Sequence, residues 1–185
     1  DPRWKLLGDF LKILRRTKPH IFTMENVPGL EKSAIFDSFL ELCDEDQDGY
    51  RAVTGVLDCR RYGIPQSRRR FVSIGSRLDG KLELPTPTHL DEADWVTVKD
   101  AISHMPSIDH GTTHPSDRLH RASKLSDLNY ARIKHSKPGG TWRDWPDELV
   151  AQCHKRNSGK TYPGVYARME WNMPGPTITG QCYGF

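Results

Sequence analysis

An apolar run, Ile21-Phe22-Thr23-Met24, ends on a carboxylate and an amide, Glu25-Asn26, and then breaks at Val27-Pro28-Gly29-Leu30. The pattern predicts a buried strand over 21–27 that delivers Glu25 to its C-terminal end, where open α/β sheets bind their ligands. An acid placed there is a site candidate; the plainer alternative is a strand-end carboxylate that pairs with a neighbouring charge or caps the next helix. A second dense stretch, Cys59-Arg60-Arg61-Tyr62-Gly63-Ile64-Pro65-Gln66-Ser67-Arg68-Arg69-Arg70, holds five arginines among residues 60–70. Such density calls for a phosphate or another anion nearby, or else marks a solvated basic loop. The Gln66-x-Arg68-x-Arg70 spacing favours the former, because extended chain sends Arg68 and Arg70 to one side and Arg69 to the other. Two guanidiniums then face one site.

The elements that must hold these residues are legible by period. Leu6, Leu7, Phe10, Leu11, Ile13 and Leu14 recur at helical spacing, with Lys5, Asp9, Lys12, Arg15 and Arg16 on the other face, so an amphipathic helix should end before Lys18-Pro19. After the strand and the Pro28-Gly29 turn, Ile35, Phe36, Phe39, Leu40 and Leu42 mark a second helix. Residues 44–49 read as an acidic turn, 50–57 and 71–74 as strands, and 62–65 as the loop between them. Helix, strand, helix, strand, strand is the order of half a doubly wound sheet.

Composition limits what the chain can be. Its 185 residues suffice for one domain with a small appendage. An apolar fraction of 36%, with 13 prolines and 15 glycines, implies much loop. The net charge of +3 and pI near 8.7 are too mild for a dedicated basic tail, though a local cluster can still form a phosphate-binding face. Cys43, Cys59, Cys153 and Cys182 show neither CxxC spacing nor a dense framework, which favours a reducing, cytoplasmic compartment over disulfides or zinc. No signal peptide or membrane span is visible. The chain starts at Asp1 without a methionine and stops on Gly184-Phe185, so a fragment is expected.

Glu25-Asn26-Val27, followed by Tyr62-Gly63-Ile64-Pro65-Gln66-Ser67-Arg68-Arg69-Arg70, resembles the DNA cytosine-5 methyltransferases in order and spacing. The resemblance extends upstream to Asp1-Pro2-Arg3 and downstream to the block from Arg168-Met169-Glu170-Trp171-Asn172-Met173 through Pro174-Gly175-Pro176-Thr177-Ile178-Thr179. It implies a class I methyltransferase fold: a partial, Rossmann-like doubly wound α/β sheet with a small irregular target-recognition domain. On that basis residues 1–79 correspond to the C-terminal half of the catalytic domain, 80–163 to the recognition domain and 164–185 to the block that rejoins the catalytic domain.

The resemblance also implies a chemistry. A thiolate adds to C6 of cytosine, and C5 then takes a methyl group from S-adenosylmethionine. Charge develops on N3 and O2, where a carboxylic acid and a guanidinium can stabilise it. By motif position Glu25 and Arg70 take these roles; Arg68 holds Glu25 or a phosphate, Asn26 fixes the turn, and Gln66 belongs to the same structural group. The base must leave the duplex to meet them. Three family elements are missing: the Gly-rich turn for S-adenosylmethionine, the Pro-Cys nucleophile loop and a C-terminal cofactor-site helix. No cysteine here follows a proline, and Cys59 between Asp58 and Arg60 reads as an inert thiol. The implied partners are therefore double-stranded DNA and the missing N-terminal half, in the same polypeptide or in another subunit. Alternatives are RNA cytosine-5 methylation, against which the large insert weighs, and a DNA-binding module or pseudoenzyme, against which the retained Glu25, Arg68 and Arg70 weigh. If bacterial, the protein would be nucleoid-associated and belong to restriction-modification.

From Leu84-Pro85-Thr86-Pro87-Thr88-His89 onward the composition turns to Pro, His, Ser, Asp and Lys. Trp95 to Val98 reads as the start of a strand and Val98 to Met105 as a short helix. His104, His110, His114 and His120 suggest a metal, but Gly111 and Pro115 break their spacing and no cysteines join them, so structural histidines are expected. The stretch from Lys134 to Trp145 sets Gly139-Gly140 between cations and tryptophans, suited to close approach of a DNA backbone; the alternative is a surface loop with its tryptophans packed inward. The DNA-contact candidates are Lys137, Gly139, Gly140, Arg143 and Arg168, with further basic character at Cys153-His154-Lys155-Arg156-Asn157.

Overall fold

Leu7, Leu11 and Leu14 form one stripe of helix α1 (Lys5–Thr17) and are its buried residues, as a 3.6-residue period requires. Leu6 and Ile13 fall off that stripe and stay 67% and 56% exposed. Lys18 closes the helix: it takes a left-handed φ of 45°, its N–H returns to the Leu14 carbonyl at 2.8 Å, and Pro19 cannot extend the pattern. This computed structural model describes residues 5–44, 49–155 and 167–178. They divide into one unit of residues 1–62 and 68–90 and a second of 63–67 and 91–185.

In the first unit β1 (Ile21–Asn26) leads through a 3-10 turn (Pro28–Lys32) into α2 (Ala34–Asp44) and β2 (Arg51–Asp58). A second 3-10 turn (Cys59–Tyr62), the two-residue strand β3 (Gln66–Ser67) and then β4 (Arg69–Ser76) follow. The sheet order is β1-β4-β2, and both pairings are antiparallel. Thus β1 and β2, linked through α2, run the same way with β4 slotted between them. Where half of a doubly wound sheet is expected, the described residues give three strands of mixed direction, β1 and β2 parallel to each other and β4 antiparallel to both. A short connection returns the chain from β2 directly alongside it, which permits only antiparallel pairing.

Helices α1 and α2 pack on one sheet face around an aromatic core. Phe71, fully buried on β4, meets Phe36 of α2 edge-on at 4.8 Å, and Phe22 of β1 meets Tyr50 at 5.0 Å. Gly75, paired with Phe22 across the ladder, makes room for it: a Cβ there would lie 2.1 Å from the ring. The expectation that β1 is a buried strand needs correction. It lies at the edge of this sheet, so only Phe22 is buried and Met24 half-buried, while Ile21 and Val27 are 52% and 59% exposed.

The second unit is held by caps and short pairings. Helix α3 (Val98–Ile102) starts at Thr97, whose side chain and Asp100 form a capping box. Its first N–H groups donate to the Met173 and Trp171 carbonyls at 3.0 and 2.8 Å. That cap replaces the strand expected at 95–98, and the helix stops at Ile102, before Met105. A hairpin follows, of β5 (Thr113–His114) and β6 (Asp117–Arg121), then α4 (Asp127–His135), N-capped by Ser126. Strand β7 (Gly175–Pro176) pairs in parallel with β3. Among the described residues, no helix is long and apolar enough to cross a membrane.

Candidate active site

Glu25 stands opposite Val72 of β4, and Arg70 lies two residues before Val72 on the same face, so the two are diagonal cross-strand neighbours. Long side chains bridge that diagonal: Arg70 Nε is 2.5 Å from Glu25 Oε1 and Arg68 Nη2 is 3.5 Å from the same oxygen. Arg70 Nη1 donates to the Arg69 carbonyl at 2.8 Å. The clamp therefore uses one carboxylate oxygen, and Oε2 has no partner among the described residues. Glu25 is 54% exposed, against 31% and 23% for Arg68 and Arg70. An accessible acid backed by two half-buried guanidiniums can hydrogen-bond a polar group and stabilise charge that develops on it.

Arg69 faces away, opposite Asp58 in the register. Asp58 is gripped by Arg60, at 2.9 Å from Nε to Oδ1 and 2.5 Å from Nη2 to Oδ2. The hydrogen bonds from Arg60 outweigh desolvation and, with the charge of Arg69, hold the Asp58 carboxyl below its ordinary range. The sequence reading passed over this pair; an Asp two residues before an Arg at a strand end was its one signal. Asn26 Oδ1 accepts from the Val27 N–H at 2.8 Å as the strand gives way to the Pro28 turn.

Gln66 lies in the second unit. It pairs with Gly175, whose N–H donates to the Pro65 carbonyl at 2.9 Å, while Thr177 Oγ1 donates to the Ser67 carbonyl at 2.8 Å. Two sequence blocks more than a hundred residues apart are thus laid side by side. The loop at 136–140 is tied down in the same unit. Gly139, at φ 72°, donates to the Arg168 carbonyl at 2.9 Å, the Arg168 N–H donates to Gly140 O at 3.2 Å, and the Gly140 N–H donates to Lys137 O at 2.8 Å. Both glycine amides are engaged within the protein, so the groups this loop presents outward are side chains. Lys137, Arg143 and Arg168 are exposed. Arg143 lies over Trp142 at 5.5 Å, and Trp142 stacks on His154 at 4.4 Å. Trp145 packs inward, buried, with Nε1 donating to Ser136 Oγ at 2.9 Å.

Among the described residues no three His, Cys, Asp or Glu side chains are grouped to hold a metal. His120 Nε2 lies 2.8 Å from the Pro106 carbonyl and His110 Nδ1 accepts from the Leu125 N–H at 3.3 Å. Cys43 is buried, Cys59 half-buried and Cys153 exposed; Cys182, Arg156, Asn157 and Thr179 lie outside the described residues, as do residues 1–4. A cavity lined by Leu11, Leu14, Cys43, Tyr50 and Arg77 has about 10 Å³, room for about one water.

A family model described as C-5 cytosine-specific DNA methylase matches residues 1–182. The chain is 42% identical over 186 residues to the type II methylase M.HgiDII of Herpetosiphon aurantiacus, covering 99% of this chain and 51% of that protein. It is 31% identical over 150 residues to the type II methyltransferase M1.HphI of Haemophilus parahaemolyticus, covering 80% of this chain and 39% of that protein. The chain therefore spans about half the length, or less, of these curated relatives. Among solved structures, a candidate DNA modification methyltransferase encoded within a prophage of E. coli has the same fold over 96% of this chain and 58% of that one, with a TM-score of 0.56 at 21% identity.

Proposed function

The chain belongs to the C-5 cytosine-specific DNA methylase family, and from that premise we propose that it supplies the base-polarising side of a DNA cytosine-5 methyltransferase of the restriction-modification kind. The observation that carries the proposal is the Glu25 carboxylate, clamped through Oε1 by Arg70 and Arg68 with Oε2 left open.

A cytosine turned out of the duplex meets Glu25 Oε2 through N3 and its exocyclic amine, and Arg70 through O2. Attack of a thiolate on C6 then places negative charge where a proton donor and a guanidinium already stand. Arg68 holds Glu25 in register. Residues 1–79 form the catalytic portion in this reading, 80–163 the recognition domain and 164–185 the return to the catalytic portion. Lys137, Arg143 and Arg168 contact the DNA backbone.

S-adenosylmethionine is the methyl donor that the family implies, but the residues described here do not fit it. The cavity beside α1 is far too small for a nucleoside, and no Gly-rich turn accompanies β1. Cofactor site and nucleophile are accordingly assigned to a segment outside these 185 residues. The test is transfer of a labelled methyl group to duplex DNA, by this chain alone and mixed with an N-terminal half from a close relative that carries a Pro-Cys loop. Transfer only by the mixture is expected. Transfer by the chain alone would bring Cys59 back as nucleophile; inactivity of a well-folded mixture would favour a DNA-binding module without catalysis.

A further inference from the structure

Asp58 and Arg60 have no role in the chemistry above, yet they stand where the backbone of the site leaves its ladders. Arg68 lies between β3, which ends at Ser67, and β4, which begins at Arg69, and it belongs to neither strand. Its carbonyl accepts from the Cys59 N–H at 2.9 Å, one rung past the pairing of Asp58 with Arg69. Cys59 opens the second 3-10 turn (Cys59–Tyr62), and Asp58 closes on that turn. Its Oδ1 accepts from the Arg60 N–H at 3.2 Å and from Arg60 Nε at 2.9 Å, and its Oδ2 from Arg60 Nη2 at 2.5 Å. An aspartate that accepts the N–H two residues on sets the local direction of the chain. With its side chain only 14% exposed, Asp58 is held more firmly than one partner of a surface ion pair. The turn and the rung beside it therefore share one anchor.

We infer that Asp58 is a positioning residue: by gripping Arg60 it holds the Cys59 N–H against the Arg68 carbonyl, and so keeps the Arg68 guanidinium on the side of the chain where Glu25 stands. The inference rests on the DNA-methylating reading proposed above and adds to it what fixes Arg68. Arg68 and Arg70 share a side only while residues 68–70 stay extended. Arg68 reaches Glu25 at 3.5 Å, the looser arm of the clamp beside the 2.5 Å of Arg70, so it is the arm that a small backbone rotation detaches. The same device sorts the charges. Glu25 takes Arg68 and Arg70 on one side, while Asp58 grips Arg60 and stands opposite Arg69 on the other. Each set of guanidiniums has its own carboxylate.

The experiment has two readouts, each taken on Asp58→Ala and on the milder Asp58→Asn, which keeps an oxygen for the Arg60 N–H and decides the matter should the first variant not fold. Amide hydrogen exchange of the chain alone comes first. The Cys59 amide should exchange roughly tenfold faster in Asp58→Ala, beyond any uniform change across the β1–β4 ladder, and by a smaller factor in Asp58→Asn. A Cys59 amide that changes only as the ladder does overturns the inference. The second readout is methyl transfer by the mixture with an N-terminal half. Asp58→Ala should lower kcat about tenfold with duplex affinity unchanged, and in an Arg68→Ala background it should lower kcat no further, because the two residues act as one unit. Losses that add with and without Arg68 mark a merely structural residue; they overturn the inference and leave the methyltransferase reading standing. A well-folded unmodified mixture that transfers no methyl group overturns both.

Discussion

Glu25 illustrates how one side chain can be fixed and available at once. Its Oε1 is committed to two arginines while Oε2 has no partner among the described residues, so Glu25→Gln keeps the size and hydrogen-bonding shape but removes the ionisable proton. In an enzyme reconstituted with its nucleophile, turnover should fall at least a hundredfold, in the usual range for a lost general acid, with DNA affinity changed far less; single-turnover rates and a binding titration separate the two. Equal losses in both would remove Glu25 from the chemistry. Asp58 permits a test that needs no activity. Its carboxyl is held low, chiefly by the Arg60 hydrogen bonds, so the stabilisation is present above the unfolded-state value near 3.9 and is lost as pH falls through the folded-state value. Asp58→Asn should lower stability by about 1 kcal/mol at neutral pH, and the gap should close at the acid end of a melting series. A gap independent of pH would mean that packing, not charge, is what Asp58 supplies. The split of Arg68 and Arg70 from Arg69 was legible in the sequence because a strand alternates. The grip of Arg60 on Asp58 was not, because it depends on a 3-10 turn that no period announces.

Among the elements, those with a strong apolar period were legible to within a residue or two: α1, β1, α2, β2 and β4. Their order was read correctly; their pairing was not legible, because the period of a strand reports which face is buried but not which neighbour it finds. In the second unit α3 was legible from its start at Val98, while its other elements escaped for a different reason. Leu128 and Ile133 of α4 remain 48% and 40% exposed, so the helix rests on its Ser126 cap and on Arg132, whose Nε donates to the Leu149 carbonyl at 2.8 Å. Strands β3 and β7 exist only through each other. The sheet offers a paired test on one strand. Gly75→Ala drives a methyl into the Phe22 ring and should cost about 1–3 kcal/mol, the usual range for overpacking. Ser73, two residues away on the same face, is fully buried, and its hydroxyl has no hydrogen-bond partner among the described residues. Ser73→Ala should leave stability unchanged or raise it by up to about 1 kcal/mol. Chemical denaturation reads both, and a loss in Ser73→Ala comparable to that in Gly75→Ala would mean that the hydroxyl has a partner.

At the scale of the whole chain, what stands out is how much apolar surface the first unit leaves in water. Ile21 and Val27, on and just past β1, are more than half exposed, as are Leu6 and Ile13 of α1. On β1 this coincides with a strand that is paired on one side among the described residues, and an edge with unpaired N–H and C=O groups beside apolar side chains is a template for a second chain. Exposed leucines and isoleucines taken singly are ordinary, so the argument rests on the coincidence of edge and apolar surface. The chain should therefore associate with itself as concentration rises, with β1 as the contact. Ile21→Lys puts a charge on that edge where the wild-type side chain already meets water, so folding should be untouched while association is suppressed. Sedimentation velocity over a tenfold concentration range makes the comparison. A concentration-independent monomer for the unmodified chain would show that β1 is already protected, and equal association in the variant would move the contact elsewhere, with the exposed stripe of α1 next to be tested by Ile13→Lys.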